Sequence, residues 1–117
     1  MFKPEEGYLN METDNPFEWV LDRLREKGWM KGSFGPTHGP NCLVGASQNV
    51  PLPGIGWERL CDRVDMVVKE QYPERRKGSL ATVPNFNDHP DTTFSDVERV
   101  LEKAAVKWEE ERVLRND

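Results

Sequence analysis

Trp57, Leu60, Cys61, Val64, Val67 and Val68 recur at steps of three and four residues, a spacing that lines one face of an α-helix. The same spacing returns in Phe17, Val20, Leu21 and Leu24, and again in Val97, Val100, Leu101, Ala104 and Trp108. Each stripe must be covered, and the economical way to cover three of them is to turn them toward one another. The expected fold is therefore all-α: a small single-domain helical bundle.

Local signals place the ends of these helices. Asn15 is a capping residue, Pro16 suits the first helical position and Glu18 stands at the third, so a helix is expected over 15–27, stopped by Gly28. The Trp57 stripe predicts a helix over 57–71, ended by Pro73 and the charged run to Lys77. Its opposite face, with Glu58, Arg59, Asp62, Arg63 and Lys69, reads as solvated. Thr93 followed by Asp96 reads as a capping box opening a helix over 94–112. The short apolar run from Cys42 to Ala46 predicts a brief helix over 42–48, with Asn41 as its cap and Gly45 and Ala46 allowing close packing; a strand is the competing reading.

Breakers fill the rest. Residues 29–41 are rich in Gly and Pro and read as a loop pinned by Trp29, Met30 and Phe34. Residues 78–92 read as a connecting segment, with Asn87 and Asp88 as turn residues, Phe86 as their anchor and Pro90 as a stiffener. Residues 1–13 show no periodicity and are expected to form a flexible arm, residues 14–112 the domain, and residues 113–117 a frayed tail. The run Glu109 to Arg112 is expected to extend into solvent.

Composition narrows the function classes. A 117-residue chain buries roughly two thirds of its unfolded surface, enough for one modest core, here supported by four Trp and five Phe. The net charge of −5 argues against a phosphate-tracking surface, because the basic residues cluster only at Arg75, Arg76 and Lys77. Two cysteines are too few for a disulfide framework, no leader-like apolar stretch opens the chain, and no run reaches the roughly 20 residues that span a bilayer. The expectation is a cytoplasmic protein with reduced thiols, monomeric or weakly self-associating.

One catalytic arrangement can be drawn. Cys42 at a helix N-terminus, with His89 or His38 as base and Asp88 or Asn87 as orienter, would make a small cysteine-dependent hydrolase. The competing reading makes Cys42 a buried small side chain and Asp88–His89 a turn. The paired spacings that mark zinc sites are absent, and the glycines match neither the dinucleotide nor the P-loop pattern, so no metal and no cofactor is expected.

Gly28-Trp29-Met30-Lys31-Gly32, then Cys42-Leu43-Val44-Gly45-Ala46, then Phe86-Asn87-Asp88-His89-Pro90 with Thr93 and Val97, resemble a family of unknown function found in small proteins of actinobacteria and their bacteriophages. The resemblance covers roughly residues 17–106. Phe86 stands where that family usually has Trp, an exchange that fits packing, and His89 stands at a commonly small position. The resemblance implies a small soluble protein acting inside a bacterial host and carries no activity with it. The leading functional expectation is a non-enzymatic module that binds a protein partner, with Phe34 and Arg75, Arg76 and Lys77 as the possible contact surface.

Overall fold

The computed structural model describes residues 14–33, 35, 39–51 and 56–116. Five helices follow in order: α1 (Pro16–Lys27), α2 (Leu43–Gln48), α3 (Trp57–Gln71), α4 (Thr82–Asp88) and α5 (Phe94–Asn116), with 3-10 turns at Pro73–Arg75 and Ser79–Ala81. The described residues contain no strand, only a single bridge between Trp29 and Asn41 that closes the base of the Gly-rich loop. The all-α expectation holds, and α1, α2 and α3 lie where the apolar spacing puts them.

Each helix end has a physical cause. The Asn15 side chain accepts from the backbone N–H groups of Phe17 and Glu18, two of the four donors a helix start leaves orphaned. Gly28 ends α1 at φ 104°, a backbone region that favours glycine, while its N–H returns to the Leu24 carbonyl at 2.9 Å. Asn41 is not the cap of α2: it is buried and its side chain accepts from Arg23, whereas the Cys42 thiol takes the capping position. Thr93 and Asp96 exchange backbone and side-chain hydrogen bonds, the reciprocal geometry of a capping box.

α1 and α3 lie against α5, and α2 packs onto α1, α3 and α4. Phe17, Leu24, Leu60, Val67, Phe86 and Leu101 are among the fully buried side chains of one continuous core. Aromatic contacts tie its regions together: Phe17 meets Trp108 edge-on at 5.9 Å, Trp29 stacks on Phe94 at 5.9 Å, and Tyr72 meets Phe86 at 5.4 Å.

Two expectations are corrected. The segment 78–92 is not merely a connection, because the turn at Ser79–Ala81 winds directly into α4. Pro84 sits in the first turn of α4, where a missing N–H costs no helical hydrogen bond. Thr82, Val83, Phe86 and Asn87 are all buried, so α4 does have an inward face, but half of it is polar. The second correction concerns the extent of the last helix, which is helical to Asn116 where the sequence reading ends it at 112. Arg63 of α3 pairs with Glu111, and Arg112 pairs with Asp14 and Glu109, which ties the acidic run back to the body.

Candidate functional site

Asn87 is the centre of the most demanding polar arrangement. It is fully buried, and its carboxamide makes four hydrogen bonds. The oxygen accepts from the Trp29 indole N–H at 2.7 Å and from the Leu43 backbone N–H at 3.1 Å. The nitrogen donates to the Met30 carbonyl at 3.0 Å and to the Asp88 carboxylate at 2.9 Å. Two acceptor positions and two donor positions are thereby used, which is all a primary amide offers. Asp88 extends the arrangement by accepting from the Gly32 N–H at 2.9 Å, and Lys31 donates to the His89 carbonyl at 2.7 Å. Asn87 is thus a buried clamp joining α4, α2 and the Gly-rich loop, and not a turn residue.

The residues of the drawn hydrolase are committed elsewhere. The Cys42 thiol is buried and accepts from the Gly45 N–H at 3.4 Å, in the role of an N-cap. His89 Nδ1 accepts from the Asp91 N–H at 3.1 Å. Asp88 and His89 border an open hollow of about 390 Å³ that Lys77 and Asn85 also line, and Cys42 is not part of it. Among the described residues no hydrogen bond joins Cys42 to Asp88 or His89. His38 lies outside the described residues, as do Phe34 and the arm over 1–13. Burial pushes the second thiol, Cys61, up to about 12, with Asp62, Glu58 and Cys42 adding to the rise. Among the described residues no group of three or more His, Cys, Asp or Glu side chains could hold a metal ion.

The basic run is divided. Arg75 turns inward, donating to Thr92 at 3.0 Å and Asp96 at 3.2 Å, with its guanidinium 4.5 Å from the Tyr72 ring centroid. Arg76 grips the buried Asp65 through two hydrogen bonds, and Thr82 donates to the same carboxylate at 2.6 Å. Both guanidinium groups therefore serve the fold, although Arg76 is exposed as a residue, as Lys77 is. Burial alone would raise the Asp96 carboxyl, but bonds from the Thr93 N–H, Arg75 and Tyr72 outweigh it and hold the group below the usual carboxylate range.

α1 and α5 also border an open groove of about 430 Å³. Leu21, Leu101, Ala105 and Val106 supply its apolar lining. Glu18 on α1 and Glu102, Glu109 and Glu110 on α5 rim it, and among the described residues no Lys or Arg lines it. Glu109 is partly spoken for: Arg112 and the Asn15 amide hold its carboxyl below the usual range, against some burial. Val106 is 54% exposed, the floor of the groove meeting solvent. Sequence reasoning passed over this site because Val106 lies off the core stripe; an apolar residue among charges on an otherwise polar face was its only signal.

Fold and groove together define a small all-α domain with an open apolar surface site. A model of the family of unknown function DUF6197 matches residues 11–107, and the chain belongs to that family. No curated protein and no solved structure matches it. The matched stretch runs from before α1 into the middle of α5, so Glu109 and Glu110 lie beyond it. Among the described residues no helix is long and apolar enough to cross a membrane.

Proposed function

We propose that the protein is a non-enzymatic binding module that receives an apolar helical segment of another protein in the α1–α5 groove. The observation that carries this reading is the open groove itself, with Val106 presented to solvent beside the buried Leu21 and Leu101. The commitment of Cys42, Arg75 and Arg76 to internal contacts supports it by removing the competing chemistry from the surface. The resemblance to small actinobacterial and bacteriophage proteins supports a bacterial cytoplasm as the setting and a host factor as the partner.

The test places a photo-reactive amino acid at Val106 or at Met66 of the full chain in bacterial cells. These positions are 54% and 53% exposed, so exposure alone predicts equal labelling. The expected result is a discrete protein adduct from Val106, mapped by mass spectrometry to one partner segment, and only background from Met66. Equal adducts from both positions, or none from Val106, would overturn the proposal.

A further inference from the structure

The geometry points to a basic amphipathic helix as the occupant of the α1–α5 groove, an inference that rests on the binding reading above and specifies its partner. Four observations converge on it. The groove is bordered on both helices by carboxylates, Glu18 from α1 and Glu102 and Glu110 from α5, while Leu21, Leu101 and Ala105 form the floor between them. Apolar floor with acidic walls is complementary to a helix bearing an aliphatic stripe flanked by Lys or Arg.

The second observation is the local field. Partial burial raises the Asp22 carboxyl; Arg25 opposes the rise, and the neighbouring Glu18 and Glu26 add to it. Asp22 stands one helical turn from Glu18, the α1 carboxylate that lines the groove, so the acidic stripe of α1 continues beside it. The surface cations nearby are few: Arg25 is shared among Asp22, Glu98 and Glu102, and Arg112 is held by Asp14 and Glu109.

Length is the third observation. Val106 and Val113 are exposed and stand seven residues apart on α5, which puts them on the same side of the helix. From Val106 to Val113 this side of α5 runs for roughly 10 Å at 1.5 Å per residue, two helical turns, with Glu109 and Glu110 between the two valines. A strip that follows the helix axis suits a segment laid lengthwise along α5.

The fourth observation decides among occupants. A second copy of this chain would bring its own acidic rim and a net charge of −5 to the same place. Nucleic acid would bring phosphates against carboxylates. The acidic lining is densest on the α1 side of Val106, because the adjoining hollow mixes Glu102 with Arg99 and Lys103. The cationic flank of the partner is therefore seated on the α1 side of Val106.

Fluorescence anisotropy with the full chain tests the inference, using three labelled helical peptides of roughly 18 residues. All share one Leu stripe; the flanks are Lys/Arg, Gln or Glu. The expected order is basic, then neutral, then acidic, with the basic peptide at least about tenfold tighter than the neutral one and weakening about tenfold between low and high salt. A Glu102→Lys/Glu110→Lys double variant, checked for unchanged helicity, should reverse the order, and Val106→Asp should weaken all three. Equal binding of basic and neutral peptides, an order unaffected by the double variant, or no binding by any peptide overturns the inference. In each of those cases the Val106 cross-link still decides the broader reading separately.

Discussion

The end of the molecule built around Asn87 and the face built between α1 and α5 treat polar groups in opposite ways. At the first, amide, carboxylate and indole groups are turned inward and matched one to one, so that α4, α2 and the Gly-rich loop form a single unit. At the second, carboxylates stand around an apolar floor that nothing among the described residues fills. Substitutions at the first should therefore be felt as stability, because a buried group without a partner carries its full desolvation cost. Substitutions at its exposed positions, Val106 first, should be felt as binding, because solvent already reaches them.

The sharpest way to break this contrast is Asn87→Ala. It strands the Trp29 N–H, the Leu43 N–H and the Met30 carbonyl together, and the expected loss is about 3–5 kcal/mol. A fall in Tm on the order of 15 °C follows for a domain of this size. A thermal melt showing less than a few degrees would remove Asn87 from the centre of the account.

Asp96→Asn probes the next level, where a surface helix start is tied to Arg75 and Tyr72. The expected loss at neutral pH is about 1–2 kcal/mol. Because the folded carboxyl lies below its ordinary value of 3.8, the parent has this stabilisation in full well above that pH and loses it as pH falls through the folded value. Urea melts of parent and variant should therefore differ at pH 7 and converge in acid. A gap that widens on acidification would contradict the assignment.

Thr93→Ala removes only the hydroxyl half of the capping box, at about 1 kcal/mol. Equal chemical denaturation midpoints for variant and parent would count against it. Smallest is Val106→Ser on the open face, expected to change stability by less than about 0.5 kcal/mol. A large loss there would mean that the groove is part of the core and not a surface site.

The same contrast explains what could be read from the sequence. The stripes that make α1, α3 and α5 are repeated, apolar and long, so their period declares them. α4 is as firmly packed, yet Thr82 and Asn87 occupy inward positions that periodicity counts as polar, and Pro84 reads as a breaker. A buried polar residue is recognisable only once its partners are known, and those of Asn87 lie as far as 58 positions away. Arg75 and Arg76 show the converse: a charge run resembles a surface patch until the carboxylates of Asp96 and Asp65 are placed beneath it. The groove was hidden for a third reason, since it belongs to two helices jointly and to neither stripe.

The pairing of Asn15 with the carbonyl of Ala105, across 90 positions, also has a meaning in the order of synthesis. α1 is made before α5, the helix it packs against, with α2, α3 and α4 synthesised between them. Until α5 is made, Phe17 lacks Trp108, and α3 has only α2, α4 and the 3-10 turns against it. The α1 face therefore waits on a helix encoded more than sixty residues downstream, whose first residue is marked by the capping box at Thr93.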